Sequence, residues 1–202
     1  MNSIKQIEVL LADRLVGRLA LTKEGLCAFE YAPDWLGSGF SISPFELPLR
    51  SGVFIAKPRP FEGGFGVFDD CLPDGWGLLI LDRYLQQKGI NPRALTLLDR
   101  LALVGSSGRG ALEFRPDHSV VTRQDYADFE KLALEAERIL DSDEYRGKGI
   151  EEFQDRGGSP GGARPKIFAR YEGKEWLVKF RAKRDPQNIG IDEYRYSLLA
   201  KE

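Results

Sequence analysis

A run of ten residues, Gly157–Lys166, most restricts how this chain can fold. The run contains four glycines and two prolines. Glycine costs backbone entropy in helices and strands, and proline removes a backbone N–H, so we expect no regular element to cross the run. It divides the chain of 202 residues into a long first part and a short last part. Because glycine has no Cβ, the run is either a turn that admits phosphate oxygens or a mobile linker.

Three segments near the start of the chain are rich in β-forming residues. They span residues 4–11, 14–21 and 26–31 and are separated by short polar breaks. This pattern predicts a small antiparallel meander. Residues 32–48 contain too many glycines and prolines for regular structure, so we expect a loop there that covers the small sheet.

Apolar residues three or four positions apart predict three helices in the middle of the chain. The first runs from 74 to 88 with Asp74 as its N-cap, the second from 94 to 103, and the third from 122 to about 143. The first helix is expected to bury one apolar face, made of Leu78, Leu79, Leu81, Tyr84 and Leu85. Residues 144–158 are polar and rich in glycine, which predicts a flexible connection.

The last part of the chain predicts a hairpin followed by a helix. The hairpin strands are Ala163–Tyr171 and Glu175–Arg181, and the helix is Ile191–Lys201. The fold class is therefore α+β, with a small N-terminal antiparallel β/α domain followed by the hairpin and the start of a helix.

Charge and composition exclude several classes of function. The chain has 29 basic and 31 acidic residues, so its own field is too weak to hold nucleic acid nonspecifically. His118 is the only histidine, which argues against a metal site and against Ser-His-Asp or Cys-His hydrolases. We expect no metal ligands in this chain.

Cysteine usage and hydropathy indicate the compartment. Cys27 and Cys71 are the only cysteines, and neither a secretion signal nor an apolar stretch of membrane-spanning length is present in the sequence. We therefore expect a soluble cytoplasmic protein with two free thiols and no membrane association.

A lysine on the second hairpin strand and a glutamate on the last helix follow the glycine-rich run. Lys179 lies between Val178 and Phe180, so its side chain points to the opposite face of the strand from both. A buried ammonium needs a counter-charge, and Glu193 lies where a helix can swing back to supply it. Protein kinases hold nucleotide phosphates with a glycine-rich loop, a strand lysine and a helix glutamate in this order. The alternative is that Lys179 is an ordinary solvent-facing residue.

Basic side chains outnumber acidic ones between residues 164 and 184. Eight are basic, namely Arg164, Lys166, Arg170, Lys174, Lys179, Arg181, Lys183 and Arg184. Only Glu172 and Glu175 are acidic in this stretch. A positive local field suits an anionic nucleotide, and Lys166 and Lys179 are the stronger candidates for contacting it. The alternative is a solvated basic face of the hairpin.

Several motifs along the chain match one family. They are Tyr31–Leu36, Leu47–Leu49, Phe68–Gly77, Leu101–Gly105, Gly110–Leu112, Ser159–Lys166, Leu177–Phe180, Asp192–Tyr194 and Leu198–Glu202. Through them the sequence resembles the HipA family of bacterial serine/threonine kinase toxins from type II toxin–antitoxin systems. The strongest match is Ser159–Lys166. The resemblance implies a kinase-like N-lobe after the N-terminal domain.

The resemblance also implies roles for individual residues. Nucleotide binding falls to Gly161, Gly162, Ala163, Lys166 and Lys179. Backbone N–H groups of the glycine-rich run would line the phosphates, and the strand lysine would hold the α- and β-phosphates. Glu193 is expected to form the ion pair with Lys179. Ser159 is expected to be an autophosphorylation site that switches the kinase off, which agrees with the repulsion that a phosphate there would exert on the nucleotide. The alternative is that Ser159 is an ordinary turn residue.

The implied organisation has three parts. Residues 1–115 form a HipA-like N-terminal subdomain, residues 116–156 a helix and linker, and residues 157–202 part of a kinase N-lobe. Family kinases continue into a helical C-lobe that carries the catalytic aspartate, an asparagine and a metal-binding aspartate. Nothing in this sequence stands for them, so we expect no catalytic residue here and no phosphoryl transfer by this chain alone. ATP and Mg²⁺ belong to the complete kinase.

The resemblance implies partners as well. They are a HipB-like helix-turn-helix antitoxin, a kinase C-lobe on another chain, or both, with DNA reached only through the antitoxin. One alternative is a non-catalytic, antitoxin-like subunit that docks on a partner kinase or on the antitoxin. A second is a folded remnant without activity. Half a kinase would expose an apolar patch, so we also expect self-association.

Overall fold

Alternating apolar residues in the first three strands build the main sheet of this protein. The computed structural model describes residues 3–108, 110–119, 128–142, 145, 147–157 and 162–201. Strand β1 is Gln6–Leu11, β2 is Arg14–Leu21 and β3 is Cys27–Tyr31. They pair antiparallel in sequence order, so the predicted meander is confirmed.

Two short strands extend this sheet at its edges. In the described part of the chain the sheet has five strands in the order β4-β3-β2-β1-β5, with β4 at Val53–Ile55 and β5 at Leu112–Arg115. Both pair antiparallel with their neighbours. The sheet packs with the first, second and fourth helices of the chain around a buried apolar core that includes Phe29, Phe68 and Leu101.

The loop expected over residues 32–48 covers the sheet, but it contains a short helix, α1, at Pro33–Ser38. Proline at the first helical turn favours this start, which the count of helix breakers did not reveal. Trp35 is buried there, and its indole N–H donates to the carbonyl of Phe40 at 2.9 Å. The buried hydroxyl of Tyr31 donates to the carbonyl of Leu47 at 2.6 Å, which fastens the loop to β3.

Helix α2, Gly66–Asp69, leads to α3, Gly75–Gln87, close to the predicted helix 74–88. The predicted apolar face was partly wrong. Leu81 and Leu85 are buried, but Leu78 is exposed, and Trp76 and Ile80 are buried instead. The face is rotated because α3 packs against later helices, so Trp76 turns inward and Leu78 turns to solvent.

Helix α4, Leu97–Val104, begins later than the predicted residue 94, after a 3₁₀ turn at Pro92–Ala94. A capping box explains the start: the hydroxyl of Thr96 accepts from the N–H of Asp99, and the carboxylate of Asp99 accepts from the N–H of Thr96. Burial alone would raise the pKa of Asp99, but donation from Ile4 and Thr96 outweighs burial and lowers it.

Helices α5, Phe129–Asp141, and α6, Gly149–Gly157, form a second core with α3. The prediction of a flexible connection over 144–158 was therefore wrong over residues 149–157. Ile150 and Phe153, three positions apart, are fully buried, so apolar burial outweighs the helix-weakening glycines. The predicted helix 122–143 corresponds to α5 from residue 129 onward, and residues 120–127 lie outside the described part.

The last part folds as predicted into a hairpin and a helix. Strands β6, Lys166–Tyr171, and β7, Lys174–Lys179, pair antiparallel through a two-residue turn at Glu172-Gly173. Both turn residues have positive φ, which matches the favoured hairpin turn. Helix α7 is Ile189–Leu199. None of its described residues is buried, and the apolar side chains that it and β7 expose include Trp176, Leu177, Tyr194, Leu198 and Leu199.

Two further expectations concern thiols and membranes. Cys27 and Cys71 are both free, and burial raises the pKa of each thiol to about 11, with Asp70 adding to the effect at Cys71. Within the described residues, every helix falls short of the length and apolar character needed to cross a bilayer.

Phe153 allows a test of the second core. Its ring contacts Trp76 with 5.1 Å between centroids and Phe180 with 5.9 Å. We predict that Phe153→Ala lowers the free energy of unfolding by about 3–5 kcal/mol, because it removes a fully buried ring and leaves a cavity. Phe45→Ala, at a fully exposed ring, is the matched control and should change it little. Urea unfolding measures both, and equal effects would contradict the packing described.

Candidate functional site

Two lysines stand directly opposite each other at one end of the hairpin. Lys166 begins β6 and Lys179 ends β7, and the register pairs their Cα positions. Opposed residues of an antiparallel pair project from the same face of a sheet, where like charges repel each other. An anion bound between the two ammonium groups would relieve this repulsion.

Glu193 of α7 reaches this end of the hairpin. Its carboxylate forms a hydrogen-bonded ion pair with the ammonium of Lys179, the contact expected from the order of motifs. The pKa of Glu193 is lowered, first by this hydrogen bond and by the charge of Lys179, then by Arg164 and Lys166. Three basic side chains therefore lie close enough to act on one carboxylate.

Exposure differs between the two lysines. Lys166 is 9% exposed, whereas the side chains of Lys179 and Glu193 are 44% and 50% exposed. The argument that a buried ammonium at Lys179 requires a counter-charge was therefore wrong, because water reaches both partners. Solvent-exposed ion pairs contribute little to stability, so the effect of this pair lies in orienting the lysine.

The end of the glycine-rich run lies beside Lys166. Gly162 has a φ of +87°, and a Cβ placed on it would lie 3.0 Å from the Nζ of Lys166. Ala163 follows at the surface, while Ser159 and Gly161 lie outside the described residues. The structure thus brings Gly162 and Lys166 together, and the register brings Lys166 to Lys179 and Glu193.

The N–H of Gly162 has a partner that the sequence did not reveal. It donates to Oδ1 of Asp74 at 2.6 Å, and the carbonyl of Gly162 accepts from the N–H of Trp76 at 3.0 Å. Asp74 occupies the N-cap position of α3 as predicted, but its carboxylate makes no side-chain cap to that helix. The only sequence signal for this contact is the Asp-Gly pair before a helix, which alone indicates a cap.

Acidic residues of other segments balance much of the basic charge. Arg164 pairs with Asp185 at 3.1 Å. Lys183 pairs with Asp141 of α5 at 2.9 Å. A count restricted to residues 164–184 could not include these carboxylates, so it overstated the positive field. The basic residues at the Lys166–Lys179 end are those that act together on Glu193.

Three concave surfaces in the described part of the chain lie away from the two lysines. A cavity of about 520 Å³ on the five-stranded sheet is lined by residues such as Arg18, Glu30 and Val53 and does not include the two lysines. We place the candidate site at the lysines because the convergent charges are there. Among the residues that the structure describes, no group of three or more His, Cys, Asp or Glu side chains could hold a metal ion.

Chemically, this arrangement is suited to binding and orienting an anion. Lys179 is held by a carboxylate, Lys166 stands opposite, and a glycine with a left-handed φ lies above Lys166. A glycine-permissive backbone next to ammonium groups is a common way to hold phosphate oxygens. The predicted site residues that the structure brings together are Gly162, Lys166, Lys179 and Glu193, and Ala163 follows Gly162 in the chain.

One family comparison bears on the chain. The family model described as HipA N-terminal domain matches residues 7–115, more than half of the 202 residues. The matched region begins in β1 and ends with β5, and it includes α3 and its N-cap residue Asp74. The Lys166–Lys179 end of the hairpin lies outside it.

The pKa of Glu193 tests the geometry of the ion pair. We predict that Lys179→Met raises this pKa towards its ordinary value, because the hydrogen bond and the nearest charge are lost. NMR-detected titration of the carboxyl group measures it, and Lys174→Met on the same strand is the control. An unchanged pKa would contradict the pairing.

The same shift gives a pH dependence. Because the pKa of Glu193 is lowered in the folded protein, its small stabilising effect is present above the unfolded-state pKa. The effect is lost as pH falls through the folded-state pKa. Lys179→Met should therefore remove the contribution of Glu193 to the pH dependence of the free energy of unfolding in the acidic range.

Proposed function

Because this chain belongs to the HipA family, we propose that it is the N-terminal portion of a HipA-like serine/threonine protein kinase toxin. In this division residues 1–115 form the family's N-terminal subdomain, residues 116–156 contain α5 and most of α6, and residues 157–202 form the part of a kinase N-lobe that covers the nucleotide. In this proposal the glycine-rich run and the hairpin hold the phosphates of ATP.

One observation carries the proposal: the ion pair between Lys179 on a strand and Glu193 on the following helix. Kinases use such a pair to place the lysine on the α- and β-phosphates. Glu193 serves here as the orienting group, since it is close enough to Lys179 for its own pKa to fall. Lys166 adds a second ammonium from the opposite strand. A lysine beside a glycine-permissive backbone suits phosphate oxygens.

The remaining parts of the proposal concern the complete kinase. In that kinase the nucleotide would be ATP, and a C-lobe would supply the catalytic base and the ligands of Mg²⁺, which would offset the charge of the phosphoryl group. Ser159 is the proposed autophosphorylation site, where phosphate repels bound nucleotide. A HipB-like helix-turn-helix antitoxin is the proposed partner and links the protein to DNA. We place the protein in the cytoplasm.

Nucleotide binding by the chain itself is the first test. Titration with a fluorescent ATP analogue, followed by competition with unlabelled ATP, gives the dissociation constant. We predict that Lys179→Met weakens binding about 10- to 100-fold, because a charged hydrogen bond to phosphate contributes about 1.5–3 kcal/mol. Glu193→Gln should weaken it less, since the lysine stays but is oriented poorly.

Lys174→Met is the matched control, because Lys174 lies on the same strand but at the turn end of the hairpin. It removes the same charge and should leave the dissociation constant within about twofold, as expected for an exposed charge away from the ligand. Equal losses from Lys174→Met and Lys179→Met would indicate nonspecific charge attraction. That result, or no competition by millimolar ATP, would overturn the nucleotide-binding proposal.

A further inference from the structure

The first turn of helix α3 is capped by a residue that is distant in sequence. Its N-cap residue is Asp74, yet the side chain of Asp74 does not bond to its own helix. The N–H of Trp76, one of the helix-start donors that lack an intrahelical partner, donates to the carbonyl of Gly162 at 3.0 Å. The carboxylate of Asp74 in turn accepts from the N–H of Gly162 at 2.6 Å. Both backbone polar groups of Gly162 are thus bonded to the start of α3.

This contact requires glycine at position 75. Gly75 has a φ of +44°, a region that side chains disfavour. A Cβ on Gly75 would lie 2.6 Å from the carbonyl carbon and oxygen of Gly162 and 2.9 Å from the N of Ala163. Any larger residue would push the glycine-rich run away from the helix. Asp74, Gly75 and Trp76 therefore act on Gly162 as one unit, which we call the Gly162 latch.

The Gly162 latch joins a buried residue, Trp76, to a residue beside the candidate site, Gly162. Trp76 is buried in the second core, with its ring against Phe153 at 5.1 Å. The same core includes Ile167, the residue that follows Lys166 on β6. Gly162 itself lies beside the ammonium of Lys166. A residue next to the site is thus fixed to a buried part of the fold.

We propose that the Gly162 latch is a positioning device for the nucleotide-covering backbone, so that the start of α3 sets how tightly the site holds ATP. The proposal rests on the proposed function. The N–H of Gly162 is bonded to Asp74, so in this proposal the latch fixes where the backbone lies, and Lys166 and Lys179 are the groups that contact the phosphates. Asp74 is a positioning residue, because it acts through Gly162.

Whether removing the Asp74 carboxylate tightens or weakens nucleotide binding distinguishes a positioning role from competition with phosphate. If the carboxylate of Asp74 occupied the place of a phosphate, its removal would free the N–H of Gly162 and tighten nucleotide binding. If Asp74 positions the backbone, its removal allows that backbone to adopt other positions. Fewer molecules are then able to bind, and the apparent dissociation constant rises as that fraction falls.

The experiment compares three variants in the ATP competition assay. Asp74→Ala removes the acceptor, Asp74→Asn keeps an acceptor oxygen at the same place, and Asp70→Ala removes a nearby exposed carboxylate as the control. We expect Asp74→Ala to raise the dissociation constant about tenfold, the loss expected for one charge-assisted hydrogen bond. Asp74→Asn should recover most of the affinity, and Asp70→Ala should match the parent chain. An Asp74→Ala chain that binds as tightly as the parent or tighter, or an Asn variant as weak as the Ala variant, would overturn the latch.

Hydrogen exchange without nucleotide provides a second, independent readout. The amide of Gly162 should exchange faster in Asp74→Ala than in the parent, in Asp74→Asn or in Asp70→Ala, because only Asp74→Ala lacks the acceptor. Unchanged exchange would overturn the latch. If the parent chain binds no ATP, the proposed function fails, and the exchange rates alone decide whether the latch holds Gly162. Urea unfolding of each variant verifies that all are compared in the folded state.

Discussion

The contact of Trp76 and Phe180 with the buried ring of Phe153 is the interaction on which the candidate site depends. A two-stranded hairpin is marginally stable alone in water, so β6 and β7 need a packed face to keep their register. Helices α3 and α6 provide that face through the second core. The register places Lys166 opposite Lys179, so the arrangement of charges follows from apolar burial in a different layer of the molecule.

The ion pairs at this end of the hairpin contribute little to the stability of the fold. The Lys179–Glu193 pair is about half exposed on both sides, which limits its contribution to stability. Its geometric effect is larger, because a flexible lysine is held at one end of the hairpin next to the opposing lysine. Pairs such as Lys183 with Asp141 link the later segments to α5 and remove charge that would otherwise spread over the hairpin. The result is a local cluster of basic residues around Glu193 in a chain whose formal net charge is -2.

Local patterns predicted much of the fold, and long-range contacts account for the rest. The alternation in β1–β3, the hairpin and the order that brings Lys179 to Glu193 are encoded by neighbours in sequence. Helix α6 was missed because glycines were weighed above the buried pair Ile150 and Phe153. Strands β4 and β5 are too short to carry a pattern and form only because β3 and β1 offer free edges. The contact of Asp74 with Gly162 joins residues 88 positions apart, so no local rule can find it.

The grouping of α3 has a consequence for how this protein is divided. The family match ends at residue 115 and therefore assigns α3 to the N-terminal domain. Packing instead places Trp76 and Ile80 in the second core, with α5, α6 and β6, while the sheet and α4 form the first. Buried Arg83 adds to this by donating to the carbonyl of Ile139 on α5. Helix α3 therefore couples the two cores: its chain continues from elements of the first core, but its side chains are buried in the second. Moving α3 would expose apolar side chains of the second core and strain the chain that enters the first. The start of α3 is in turn hydrogen-bonded directly to Gly162, so the contact between them does not involve the five-stranded sheet.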